Sequence, residues 1–258
     1  MITRVVFLVL VVVSFAPAQT RRVMAIAHRG EHLHHPENTI PAFEDAIRAG
    51  ADFFELDVRT TSDGKLILSH DATVNRCTNG QGRVSEMTFD QLRALDAGVK
   101  AGFPGTKMPS FDEALALARQ STTGVYVDVK NASAADLVSH IQRHEMLERV
   151  VIYCGLELAK ELLALKPQLK VMPEARNAEY AKTLINQLHP RVLAFDAKDF
   201  TAEVIAVTKG AGVQIYVDRL GAVDIPEEWR AAIDAGADGI QTDKPRELVQ
   251  FLKSKGYR

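Results

Sequence analysis

The sequence predicts an α/β fold, a (β/α)₈ TIM barrel with a β-hairpin and a loop insertion at the barrel mouth. Two observations predict it. From Ser110 onward, short runs rich in valine and isoleucine alternate with segments of helical period, a pattern that implies a parallel sheet with helices outside it. Nine strand-like runs occur in all, and one pair of them is separated only by the tight Ser62-Asp63-Gly64 turn. A parallel crossover needs about a dozen residues or more, so that pair is an antiparallel hairpin. Setting aside its return strand leaves eight parallel strands, the number that closes this barrel. An open doubly wound sheet is disfavoured because no glycine-rich nucleotide loop follows the first strand.

Taken in order, the chain begins with Arg4, an apolar run from Val5 to Phe15, and Ala16-Pro17-Ala18. A charged start, a hydrophobic middle and a small-x-small site read as a secretory signal peptide over residues 1–18. The run is short for a membrane span. The barrel domain then occupies residues 19–258, and the chain is expected to be exported. Met24 to Ala27 reads as the first strand, with His28 and Arg29 at its carboxyl end. A helix is expected from about Thr39, followed by a strand over Phe53 to Val58. After the turn comes the return strand, Leu66 to Ser69, ending at His70-Asp71.

Residues 72–107 lose strand and helix periodicity, apart from a short helical piece at Thr88 to Leu95. Irregular stretches of this length are commonly lids or binding loops. Phe103 and Pro104 offer apolar surface there, and packing of the loop on its own side chains is the other reading. Beyond it, Ser110 with Glu113 forms a capping-box pattern. Helices then alternate with strands at 124–130, 150–154, 169–172, 192–195, 213–217 and 239–241, and a last helix closes the chain.

Length and charge narrow the function. The chain has 258 residues and a formal net charge of -2, which suits one α/β domain and gives no basic face for nucleic acid or membrane lipid. Attraction for an anionic ligand must therefore be local, or supplied by a metal ion. An exported chain can pair its two cysteines, Cys77 and Cys154, but a domain of this size does not need a staple, and sequence does not place them within bridging range.

Reacting groups in such barrels sit at the carboxyl ends of strands. His28, Arg29, Glu55, Asp57, Asp128, Lys130, Tyr216, Asp218, Gln241 and Asp243 fall at such ends. Glu55 and Asp57, two apart on one strand, share a face, as do Asp128 and Lys130. Three inward carboxylates repel unless a cation neutralises them, and carboxylate oxygens suit Ca²⁺ or Mg²⁺. Structural ion pairs, Asp128 with Lys130 or Arg29 with Glu55, are the alternative. His32, His34 and His35 read as a solvated loop, and Glu37 as a loop holder, a partner of Arg29 or a contact for substrate hydroxyls.

The H-R-G, P-E-N-T, E-L-D-V, T-S-D-G and S-H-D elements between His28 and Asp71, with V-D-V-K at Val127–Lys130 and G-A-D-G-I-Q-T-D-K-P near the end, resemble the glycerophosphodiester phosphodiesterase family. The resemblance spans nearly the whole chain after the leader. It implies His28 and His70 as the acid–base pair, and Glu55, Asp57 and Asp128 as ligands of one divalent cation, Ca²⁺ or Mg²⁺. It also implies Arg29 and Lys130 as phosphate contacts, and Tyr216 as an aromatic at the mouth packing on the glycerol carbons. Two positions depart from the family pattern. Asp128 stands where glutamate is more common, about 1.5 Å shorter in reach, and Tyr216 stands where tryptophan is usual, in Y-V-D rather than W-T.

The implied activity is metal-dependent hydrolysis of a small-molecule glycerophosphodiester to glycerol 3-phosphate and an alcohol, without nucleic acid or a stable membrane anchor. Two rivals stand beside it. One is a lysophospholipase D- or sphingomyelinase D-like phosphodiesterase, which needs a wide apolar groove. The other is a catalytically silent exported protein that binds phosphodiesters.

Overall fold

The computed structural model describes residues 21–258, and the segment read as a leader, 1–18, lies outside the described residues. The alternation seen in sequence becomes β1 (Met24–Ala27), α1 (Ile40–Ala49), β2 (Phe53–Thr60), β3 (Leu66–Leu68), α2 (Phe89–Arg93), α3 (Phe111–Arg119) and β4 (Gly124–Asn131). It continues as α4 (Ala134–Arg143), β5 (Val150–Tyr153), α5 (Leu156–Leu165), β6 (Lys170–Met172), α6 (Ala178–Leu188) and β7 (Val192–Phe195). Then follow α7 (Ala202–Gly210), β8 (Gln214–Arg219), α8 (Pro226–Ala235), β9 (Gly239–Thr242) and α9 (Pro245–Ser254).

Eight parallel strands run in the order β6-β5-β4-β2-β1-β9-β8-β7. The ring closes between β6 and β7 through a single bridge, Glu174 to Ala194. There the Ala175 amide donates to the Ala194 carbonyl at 3.0 Å, and the Ala194 amide donates to the Pro173 carbonyl at 3.1 Å. The hairpin is antiparallel as expected, with Val58 opposite Leu68 and Thr60 opposite Leu66. β2 runs two residues past the expected Val58 because this pairing continues it beyond the barrel.

Local chemistry sets the element ends. Pro41 sits in the first turn of α1, where its missing N–H costs nothing, and Gly50 ends that helix at φ 85°. Ser110 and Glu113 form the reciprocal capping box of α3, and Thr88 with Gln91 forms a second one on α2.

Alternation along the strands sorts the core. Ala25, Ala27, Phe54 and Leu56 face outward into the main core beneath the helices. Ile26, Tyr126, Val151, Met172, Val192 and Ala194 fill the barrel interior. A third cluster, including Ile67, Val74, Leu92 and Met108, lies under the 72–107 segment, so that segment carries a small core of its own. Cys77 and Cys154 are both free thiols, Cys154 buried at the end of β5 and Cys77 in the loop after the hairpin. No helix among the described residues is long and apolar enough to cross a membrane.

Candidate active site

The inward face of β2 presents Glu55 and Asp57, each 1% exposed. In the ladder with β4, Asp57 lies directly opposite Asp128. One oxygen from each of Glu55, Asp57 and Asp128 falls within 4.8 Å of the others. Burial, then the charges of Asp57 and Asp128, push the Glu55 carboxyl well above the usual carboxylate range. Burial likewise raises Asp128, against the pull of Lys130. Lys130 Nζ donates to Asp128 Oδ2 at 2.7 Å and lies 3.2 Å from Asp57 Oδ1. Both readings of these residues therefore hold in part: Lys130 is an ion-pair partner, and the three acids stay crowded.

Asn38, from the P-E-N-T element, completes this wall. Its φ is 57°, a left-handed conformation that asparagine tolerates better than most residues. Its side-chain amide donates to Asp57 Oδ2 at 2.7 Å, and the Asp57 amide donates to Asn38 Oδ1 at 2.9 Å.

At the end of β1 the chain turns sharply through Arg29 at φ 52° and Gly30 at φ 80°. A Cβ on Gly30 would meet the Ala42 backbone at 2.7 Å, so the turn packs directly on α1. The Arg29 amide donates to Glu55 Oε2 at 2.6 Å, and its guanidinium donates to Glu37 Oε1 at 3.2 Å. Arg29 Nε, 3.6 Å from Asp57, is buried and makes no hydrogen bond.

His28 Nδ1 pairs with Asp243 Oδ1 at 2.7 Å. That pairing assigns the ring proton to Nδ1 and leaves Nε2 with its lone pair. Burial lowers the His28 pKa, and the Asp243 hydrogen bond opposes the fall. Asp243 is itself fixed: its carboxylate accepts from the Gly221 amide at 3.0 Å, and its own amide donates to the fully buried Asp224 at 2.8 Å. Asp224 also accepts from Trp229 Nε1 at 2.7 Å and Thr242 Oγ1 at 2.7 Å.

His32 departs from the solvated-loop expectation. Its Nδ1 lies 2.7 Å from the His28 carbonyl, and its Nε2 lies 3.5 Å from Asp243, because the turn at Arg29 and Gly30 folds it back onto the site. His34 is exposed and pairs with Glu31.

His70, delivered by the hairpin, lines the same cavity as His28. Its Nδ1 lies 2.8 Å from Asp71 Oδ1, and Arg59 Nη2 donates to its carbonyl at 2.6 Å. Arg76, from the 72–107 segment, clamps Asp71 and Glu37 beside the cavity. Its Nε donates to Asp71 at 2.7 Å, and its Nη1 and Nη2 donate to Glu37 at 2.7 and 2.8 Å. Burial alone would raise the Glu37 carboxyl, but the Arg76 hydrogen bonds and the Arg29 charge outweigh it and hold the pKa at about 2. Glu37 is thus the junction between Arg29 and Arg76.

The cavity at the carboxyl ends of the strands has a volume of about 260 Å³, and the three acids, Arg29, Lys130 and both histidines all line it. Tyr216 lines it too, but from below. The ring is 6% exposed and belongs to the barrel interior. Its backbone pairs with Gly239 at the amino end of β9, and Asp52 and Asp238, which precede β2 and β9, act with burial to push its phenol up to about 12. The expected aromatic at the mouth is therefore a residue of the floor. The reason is its register, one inward position earlier than Asp218. Phe103 packs against His35 with ring centroids 5.5 Å apart and does not line the cavity.

The donor set fits a divalent cation. Three carboxylates crowd together, two of them almost fully buried, and Lys130 brings one positive charge to them. All the donors are hard oxygens, which suits Mg²⁺ or Ca²⁺ rather than a thiophilic metal.

Strand-end spacing points to the acids and His28, and the family resemblance to His70. Neither points to Asn38 as a bracket, to Arg76, or to Asp224. Asn38 belongs to the P-E-N-T element, and Arg76 and Asp224 show in sequence only as polarity inside otherwise loop-like stretches.

The sequence and the fold have counterparts among known proteins. Residues 28–155 match the model of the glycerophosphoryl diester phosphodiesterase family. A glycerophosphodiester phosphodiesterase of Caldanaerobacter subterraneus is 32% identical over 250 residues, covering 91% of this chain and 100% of that protein. The crystal structure of a glycerophosphodiester phosphodiesterase from Agrobacterium tumefaciens superposes with a TM-score of 0.78 at 27% identity, covering 88% of this chain and 99% of the other. A phosphodiesterase of Oleispira antarctica, solved with the product sn-glycerol-3-phosphate, shares the fold with a TM-score of 0.81 at 20% identity, over 89% and 96% of the two chains.

Proposed function

Because the chain belongs to the glycerophosphodiester phosphodiesterase family, we propose that it hydrolyses glycerophosphodiesters to glycerol 3-phosphate and an alcohol, using His28 and His70 for proton transfer. One observation carries the mechanism: two imidazoles, a guanidinium, an ammonium and three acids from separate strands line a single cavity. The product bound to the Oleispira protein supports the choice of substrate.

The proton inventory follows from the partners of each ring. His28, with its pKa lowered by burial and its Nδ1–H held by Asp243, is neutral near pH 7 and takes the proton of the attacking hydroxyl at Nε2. His70, with Asp71 at Nδ1, donates its own proton to the leaving alkoxide as the bond from that oxygen to phosphorus breaks, and exchange with solvent restores both rings. Arg29 presents a fork of donors to the phosphoryl oxygens, and Lys130 adds a compact charge beside it. Glu55, Asp57 and Asp128 would hold the cation, Ca²⁺ or Mg²⁺, which when bound neutralises charge building on the phosphoryl group. Asn38 keeps Asp57 in place while this happens.

The cavity favours a compact diester over a lysophospholipid, since charged side chains are prominent in its lining and the apolar pocket under the 72–107 segment, about 20 Å³, is too small for an acyl chain. The apolar run Val5–Phe15 followed by Ala16-Pro17-Ala18 supports export of the mature chain.

The test is turnover of glycerophosphocholine and of a lysophospholipid, with Ca²⁺ or Mg²⁺ and with a chelator. His28→Ala and His70→Ala should each lower kcat by about a hundredfold or more in protein that still folds. Near-normal rates in both variants remove the mechanism, and preference for the lysophospholipid removes the substrate.

A further inference from the structure

His32 stands beside the candidate base but has no part in the proton transfers proposed above. Its two ring nitrogens are committed differently. Nδ1 lies 2.7 Å from the His28 carbonyl oxygen. A carbonyl only accepts, so the proton of the neutral ring sits on Nδ1 and the lone pair on Nε2. That lone pair faces Asp243 Oδ1 at 3.5 Å, two electron-rich atoms aimed at each other with no hydrogen to share. The same carboxylate oxygen is 2.7 Å from His28 Nδ1. The two rings stand edge to face, 86° apart with centroids at 5.4 Å. One ligand atom from each of His28, His32 and Asp243 lies within 4.8 Å of the other two.

Such a donor set suits a transition ion. Zn²⁺ takes imidazole nitrogens and a carboxylate at about 2.0–2.2 Å and can keep a fourth position for water. Tetrahedral bonds of that length set ligand atoms about 3.3 Å apart, close to the 3.5 Å between His32 and Asp243. The His28 contact is shorter because it holds a proton, which the metal replaces and releases to solvent. A metal-bound histidine usually donates its other N–H to a carbonyl or carboxylate, as His32 does to His28. Asp243 is itself steadied by the Gly221 amide at 3.0 Å. The all-oxygen site at Glu55, Asp57 and Asp128 attracts a harder class of ion.

We propose that His28, His32 and Asp243 form an inhibitory site for Zn²⁺ or a similar transition ion, separate from the carboxylate site for Ca²⁺ or Mg²⁺. An imidazole metallated at Nδ1 keeps its one remaining proton on Nε2. His28 then has no lone pair with which to accept the proton of the attacking hydroxyl, and turnover stops. The effect on turnover rests on the reading of His28 as the base; the metal site does not.

The experiment titrates Zn²⁺ into the full enzyme by calorimetry in millimolar Mg²⁺ and follows glycerophosphocholine turnover in parallel. One zinc should bind despite the Mg²⁺. Turnover at saturation should fall about a hundredfold or more, the usual worth of a general base. His32→Gln should weaken zinc binding at least about tenfold and raise the inhibitory concentration to match, each protein being compared with its own zinc-free rate. Co²⁺ in the unmodified enzyme, which needs no variant to fold, should give the intense visible bands of a four-coordinate site. Zinc that Mg²⁺ displaces, or that His32→Gln holds as tightly, overturns the site and places the ion on the three acids. Zinc bound through His32 while turnover continues overturns the role of His28 as base and leaves the metal site standing. Binding through His32 in a protein that turns over no diester, with or without zinc, overturns the phosphodiesterase reading alone.

Discussion

Asn38 and Asp57 exchange two buried hydrogen bonds, side-chain amide to carboxylate at 2.7 Å and backbone amide to side-chain oxygen at 2.9 Å. The pair ties the loop before α1 to the acid wall on β2. Asn38→Ala removes both bonds and places alanine at φ 57°. Loss of the bonds should cost about 2–4 kcal/mol, and the left-handed backbone about 1 kcal/mol more. Asn38→Gly should recover only the second part, which denaturant melts of the three proteins would show. Equal stability of the alanine and glycine variants would contradict this account.

Acid should act on Glu37. Its carboxyl is held at about 2 against an ordinary 4.5, so its contribution is complete above pH 4.5 and disappears as the pH falls toward 2. Glu37→Gln removes that dependence. A plot of unfolding free energy against pH should therefore be shallower for the variant between those limits, and parallel curves would refute the role given to Arg76.

Asp218 should act in the opposite sense. Burial, with Asp196 nearby, pushes its carboxyl up to about 6 from 3.8. The folded state then binds more protons than the unfolded state between those values, so the wild-type chain loses stability as pH rises through them. Asp218→Asn should leave Tm almost unchanged at pH 4 and raise it at pH 7. A variant less stable at both pH values would show that the carboxylate is a structural partner.

Divalent ions should stabilise as well as activate. A ligand that binds only the folded state adds about 2.7 kcal/mol at a hundredfold excess over its Kd. Titrating Ca²⁺ or Mg²⁺ into chelated protein should raise Tm, and Asp57→Asn should abolish the rise. Asp128→Glu, which adds about 1.5 Å of reach where the family pattern more often has glutamate, should lower the ion concentration at half-effect. An unchanged Tm across millimolar ion would sink the cation site.

Much of this arrangement is legible in the sequence alone. Hairpin and barrel followed from spacing, because an Asp-Gly turn admits only an antiparallel return and eight parallel strands close a ring. Glu55 and Asp57 followed from strand alternation. Tyr216 was misplaced because composition reports an aromatic on a strand but not its depth, which depends on the stagger between neighbouring strands. His32 was misjudged because only the folded turn at Arg29 and Gly30 brings it back to Asp243. Asn38, Arg76 and Asp224 escaped notice because each matters through partners 19, 39 and 18 residues away, and no local period encodes such reach.

A single bridge joins β6 to β7, the least paired seam of the barrel. Glu174 and Asp196 hang on either side of that joint, whereas Asp57 and Asp128 are locked into the longest ladder in the sheet. The three crowded acids therefore rest on the most continuously paired strands of the barrel, and the acids facing them on the least paired.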